Sequence, residues 1–175
     1  MQSTDIFMEY MIKQKKKGSA IIKSIFTVVG AIFVSLIISF IFLLLPPFVI
    51  SVWPMCVAAI MFGAYKIIAS FDVEFEYILT NGELDVDKIT HKKKRKRLIT
   101  IHCKSFTHFG KTSDDVYKNL KSESYAQIID ASANSENFED YYAVFFKNGQ
   151  RIMLIFNPTQ KMIDAFKVFA PRVVM

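Results

Sequence analysis

Hydrophobic and polar positions change rhythm along this chain. From residue 24 to residue 65 there are 42 consecutive positions without Asp, Glu, Lys or Arg. As helix this stretch would reach about 63 Å, roughly twice the ~30 Å hydrocarbon core of a bilayer. Pro46 and Pro47 interrupt it: neither has an N–H, and Pro47 pushes Pro46 out of the helical region. The pattern predicts a helical hairpin, helix one over Ser24 to Leu45 and helix two over Phe48 to Ser70. Beyond it the period becomes two. Phe71, Val73, Phe75, Tyr77 and Leu79 alternate with Asp72, Glu74, Glu76 and Ile78, and Asn81-Gly82 supplies a two-residue hairpin turn. That turn places Thr80 opposite Glu83, Leu79 opposite Leu84 and Tyr77 opposite Val86. The apolar side chains then share one face, and Glu74, Glu76, Glu83, Asp85 and Asp87 collect on the other.

A third strand is expected over Arg95 to Cys103, with Ile99 and Ile101 inward. Residues 110–123 read as a loop with a short helical turn at Asp114 to Leu120, Ser124 to Asp130 as a strand, and Ala131 to Asp140 as a connection. Asn148-Gly149 predicts a second hairpin that pairs Phe145 with Ile152 on one face and Val144 with Met153 on the other. Both of its faces are apolar. Asn157 is the expected cap of a last helix, with Pro158 at its first position. Met162, Ala165, Phe166 and Phe169 form its apolar stripe, and Pro171 ends it. Near the N-terminus, Ile6, Phe7, Tyr10 and Met11 recur at helical spacing; they fit an interfacial helix or a frayed start to helix one.

Three regions follow: a basic N-terminal segment (1–20), a two-helix hairpin (21–70) and a β domain (71–175). The net charge of +6 and the hydrophobic share of 52% are unevenly placed. Lys13, Lys15, Lys16, Lys17 and Lys23 precede the hairpin and Lys66 and Lys92 to Arg97 follow it, while the Pro-Pro turn has no cation. By the positive-inside rule both termini face the cytoplasm and the protein sits in the cell membrane. A hairpin that enters and returns without crossing fits the same pattern. Ser35 and Ser39 sit where helix one can meet helix two. Two cysteines, Cys56 and Cys103, far apart in the sequence, suit a reducing compartment.

Six or seven antiparallel strands followed by one C-terminal helix resemble a pleckstrin-homology-like (PH-like) domain, an antiparallel barrel or sandwich closed by that helix. Membrane helices leading into such a domain resemble bacterial membrane proteins with PH-like domains, and more narrowly a family of small membrane proteins from clostridia-type bacteria. The segment Phe75 to Leu84, followed by Lys94 to Ile99, carries the likeness. Phe166 stands where eukaryotic PH domains typically carry tryptophan. The family's lipid-headgroup residues do not transfer, because the basic run here follows the second predicted strand.

Lys92, Lys93, Lys94, Arg95, Lys96 and Arg97 are the outstanding local chemistry. From residue 71 onward there are sixteen basic and fourteen acidic residues, so without these six the region would be net acidic. Three readings stand: contact with anionic lipid headgroups, neutralisation of Asp85 and Asp87 on the neighbouring strand, or a solvated loop that sets topology. Aromatic platforms for bases are missing around the run, so no nucleic-acid partner is expected. Tyr142, Val144 and Phe146, on the second face of the later hairpin, are the candidate partner surface; cover by the C-terminal helix or another sheet is the competing reading. His102, Cys103 and His108 do not make a zinc site, since neighbouring residues on a strand face opposite ways. No nucleophile, phosphate-loop or dinucleotide motif occurs. The expectation is a non-enzymatic membrane-anchored domain, without cofactor, metal or small-molecule substrate, that binds anionic lipid headgroups or a partner protein. The alternative is a small accessory subunit of a larger membrane complex.

Overall fold

The computed structural model describes residues 5–16 and 18–174, which leaves Lys17 of the flanking cations outside. The chain forms two compact units: one joins the N-terminal segment through Lys15 to Val73 and everything after it, and the other is Lys16–Asp72.

The second unit is helical. Helix α1 spans Gly18–Leu43, a short α2 spans Pro47–Ile50, and α3 spans Trp53–Ala69. The Pro46-Pro47 break falls where the sequence puts it, but helix two is itself interrupted. Pro54 has no N–H to offer the Ile50 carbonyl, so the helix restarts at Trp53. Gly18–Leu43 and Pro47–Ala69 are both long and apolar enough to cross a membrane. Their large side chains point outward: Phe26, Leu43, Leu44, Phe48 and Met55 are each more than 70% exposed. A core helix of a water-soluble protein hides such residues. The hydroxyls find their partners within the helices, without needing water. Ser24, Thr27, Ser35 and Ser39 each donate to the carbonyl four residues back. Ser39 also accepts from the Trp53 indole at 2.8 Å, so the expected contact between the helices is made there.

Among the described residues, the first unit holds eight strands in two open four-stranded sheets, ordered β1-β2-β3-β4 and β5-β7-β8-β6. Strand β1 (Phe7–Lys13) corrects the expected N-terminal interfacial helix. Ile6, Met8, Tyr10 and Ile12 also alternate, and Met8, Tyr10 and Ile12 pair with Leu79, Tyr77 and Phe75 of β2 (Val73–Thr80). An unpaired β2 edge with an apolar inner face outweighs the local helical spacing. The β domain therefore does not begin at residue 71; it takes its first edge strand from before the helices.

Strands β2 and β3 (Glu83–Thr90) keep the predicted register, with Asn81 and Gly82 at positive φ in the turn. Strand β4 (Lys94–His102) carries a β-bulge: Val86 pairs with Ile99 but Asp87 pairs with Arg97, so Leu98 is the extra residue. After one 3₁₀ turn, β5 (Phe106–Lys111) opens the second sheet, a strand the sequence reading did not anticipate. Helix α4 (Asp115–Lys121) forms where a short helical turn is expected. Strand β6 (Gln127–Asp130) lies parallel to β8 (Gln150–Phe156), and β7 (Tyr141–Lys147) pairs with β8 in the predicted register. The expected six or seven antiparallel strands are thus eight, one pairing is parallel, and the sheets do not close into a barrel.

One core lies between the sheets and helix α5 (Gln160–Phe169), and Phe166, fully buried, meets the rings of Phe106, Phe109 and Phe156. Residues 131–133 run through the interior, where Tyr77 Oη donates to the Ala131 carbonyl at 2.6 Å and Asn157 Oδ1 accepts from the Ala133 N–H at 2.7 Å. Asn157 is thereby committed to the core and does not cap α5. Thr159 does, accepting from Met162 N–H, and Pro158 lies outside the helix.

Candidate functional site

The basic run occupies the β3–β4 turn and the first half of β4. Sequence parity alone would place Arg95 and Arg97 on the inward face with Ile99 and Ile101. The bulge at Leu98 turns them over, while Ile99 and Ile101 stay buried. Both guanidiniums then lie on the acidic outer face of the first sheet. Arg95 pairs with Glu76 at 2.5 Å and Asp87 at 3.8 Å. Arg97 pairs with Asp85 at 2.5 Å and, more closely, with Asp87. Thr100 donates to Asp85 beside them. Glu76 and Asp87 are each only 1% exposed under this cover, while the arginine side chains are about half exposed. A buried carboxylate requires such partners, because an isolated one would cost several kcal/mol.

The electrostatics follow the same arrangement. Burial pushes the Glu76 carboxyl above the ordinary value of 4.5, and a hydrogen bond with Glu9 of β1 adds to the shift; Arg95 opposes it. The hydrogen bond to Asp87 holds the Arg97 guanidinium above its ordinary value. Two of the six candidate residues, Arg95 and Arg97, therefore complete the sheet face, as the neutralisation reading expects.

The other four are placed differently. Lys92 and Lys93 sit in the turn; Lys94 and Lys96 pair with Thr90 and Lys88 and face away from the ion-pair cluster. All four are exposed, and among the described residues none of their ammonium groups has an ion pair. Lys88 joins them, directly opposite Lys96, a like-charge placement that weakens a sheet unless an anion or water screens it. An open groove of about 510 Å³ runs beside Lys92, Lys93 and Arg95, with Met11 and Glu74 across from them. The turn backbone is strained: His91 and Lys92 both have φ of +55°, a region that side chains other than Gly and Asn rarely occupy.

Topology adds a feature that the sequence did not reveal. Lys13, the last residue of β1, is opposite Glu74, and Val73, the first of β2, is opposite Thr90 at the start of the basic turn. The two strand ends from which the chain continues into the apolar helices are therefore at the same end of the sheet as the lysines.

The candidate partner surface is corrected. Tyr142 and Val144 are 2% and 0% exposed, covered with Met153 by Leu120 and Tyr117 of α4; the Tyr117 and Tyr142 rings are 5.2 Å apart. The cover is the short helix α4 and not the C-terminal helix. Only Phe146, at 55%, remains exposed. His102 Nδ1 accepts from Lys104 N–H, and Cys103 is buried, its thiol pushed up to about 12 by desolvation, so it is a neutral core residue.

No curated protein and no solved structure matches the chain. The family described as a bacterial PH-like domain (DUF6106) matches residues 4–175, which takes in β1, the apolar helices and both sheets. The chain thus belongs to that bacterial PH-like domain family.

Proposed function

We propose that this protein is a non-enzymatic, membrane-anchored PH-like domain whose lysine-rich sheet end holds anionic lipid headgroups at the cytoplasmic face of the cell membrane. The observation that carries the proposal is the pairing of β1 with β2 around the apolar hairpin. Strands that flank the hairpin share a sheet, so both of its connections emerge on one side of a bilayer, whether it crosses twice or dips in and returns. The connection before β2 is short: residues 70–72 span at most about 10 Å when extended. A sheet end tethered by so short a connection is on the scale of the Debye length, ~8 Å at physiological ionic strength. Lysines near an anionic leaflet contribute on the order of 1 kcal/mol each before screening.

Lys92, Lys93, Lys94 and Lys96 supply this contact; Arg95 and Arg97 serve the fold. The experiment uses the full chain, since residues 71–175 alone would lack β1. A polarity-sensitive fluorophore is placed at Lys93→Cys in a Cys56→Ala background, and the chain is reconstituted into nanodiscs of neutral or anionic lipid. Emission should shift to the blue in anionic discs only. The shift should disappear in high salt and in a Lys92→Gln/Lys94→Gln/Lys96→Gln variant. Equal emission in both lipids would remove the headgroup role.

A further inference from the structure

The order of the second sheet leaves β5 as an edge. Thr112 N–H donates to the Asp140 carbonyl at 2.9 Å, which fixes the ladder alternation: the backbone groups of Gly110 face β7, and those of Phe109 and Lys111 face outward. Lys111 is already satisfied, because its N–H donates to Asp114 Oδ2 and its carbonyl accepts the Asp114 N–H, each at 3.1 Å. Phe109 is not. Among the described residues nothing pairs with its outward N–H and carbonyl, and they border a groove of about 850 Å³ between β5 and α5. Ile163, Tyr141 and Val173 give this groove apolar walls.

Its charge is one-sided. Lys167 of α5 and Arg172 in the turn just after it line this side, exposed and without an ion pair among the described residues. The acids nearby are engaged: Asp114 with the Lys111 backbone, and Glu139 with the Lys111 ammonium at 2.8 Å. An unpaired strand edge takes an added strand, and cations above it select carboxylates. Lipid is a poor occupant here. The α5 end that carries Lys167 is against the Asn81-Gly82 turn, where Phe169 crowds Gly82. Eight-residue strands put that turn about 25 Å from the lysine-rich end.

We propose that the β5–α5 groove binds an extended acidic peptide segment of a partner protein, which adds to the free edge at Phe109 and sets its carboxylates against Lys167 and Arg172. This inference does not depend on the headgroup role. The test uses the full chain in neutral detergent and fluorescein-labelled acetyl-Glu-Val-Thr-Val-Glu-Val-Glu as the probe. The peptide should bind and slow amide exchange at Phe109. Its lysine counterpart should not bind. N-methylation of one of its two alternating residue sets should abolish binding, since only one set faces β5. Lys167→Glu/Arg172→Glu should weaken it at least about tenfold, while Lys92→Gln/Lys93→Gln should leave it unchanged. The proposal is overturned by no binding at about 1 mM peptide, by indifference to both methylation sets or to the Lys167/Arg172 change, or by unaltered exchange at Phe109.

Discussion

The two sheets cover their outer faces in opposite ways. The second sheet, apolar on both sides, has its outer face closed by α4: Leu120 and Tyr117 cover Tyr142, Val144 and Met153. The first is acidic outside and is covered by side chains alone, Arg95 and Arg97 reaching across Glu76, Asp85 and Asp87. An apolar cover contributes by removing area from water, about 25 cal/mol per Å². A cover of half-exposed arginines mainly offsets the desolvation of the carboxylates beneath it. The first face therefore contributes less to stability, yet its turn keeps lysines that no acid among the described residues engages.

That contrast can be broken first where it is strongest. Leu120→Ala opens the apolar cover of the second sheet and should cost about 2–4 kcal/mol, read as a lower midpoint of thermal unfolding followed by the β-sheet circular dichroism band in mild detergent. The hairpin turns come next. A Cβ on Gly82, at φ +88°, would lie 2.8 Å from the Phe169 ring, whereas one on Gly149, at φ +74°, meets open space. Gly82→Ala should cost about 2–3 kcal/mol and Gly149→Ala about 1, because only the first adds a clash to the backbone strain. The same unfolding measurement separates them, and equal losses would show that α5 does not hold the first turn.

The smallest effect concerns Glu76. Its carboxyl is raised in the folded state, so the folded chain binds the proton more tightly than the unfolded one. Its contribution to stability is complete below the ordinary value of 4.5 and is lost as pH rises through the higher folded value. Glu76→Gln should flatten the fall in unfolding midpoint above pH 4.5 and leave the midpoint at lower pH unchanged. A profile identical to the parent would mean that Glu9 and burial do not act on Glu76 as described.

What the sequence disclosed was local. Asn81-Gly82 and Asn148-Gly149 fix register within a few residues, so both hairpins and their facing pairs were legible. The apolar helices were legible because forty-two uncharged positions fit few other structures. Strand β1 was not, since Ile6, Phe7, Tyr10 and Met11 satisfy a helix as well as Ile6, Met8, Tyr10 and Ile12 satisfy a strand; only the β2 edge, sixty residues on, decides. The basic run was legible as a cluster but not in its division. Parity cannot foresee a bulge at Leu98, and that one residue commits Arg95 and Arg97 to the fold and leaves the lysines exposed. Asn157 misled for a similar reason: a good helix cap is also a good partner for a buried backbone segment, and residues 131–133 required one.

The measurement closest to the centre of the account is the partition of the full-length chain. Expressed in bacteria, it should stay with membranes through an alkaline carbonate wash and leave them only in detergent. A chain that is released by the wash and remains monodisperse in plain buffer, with no amphiphile, would contradict the account.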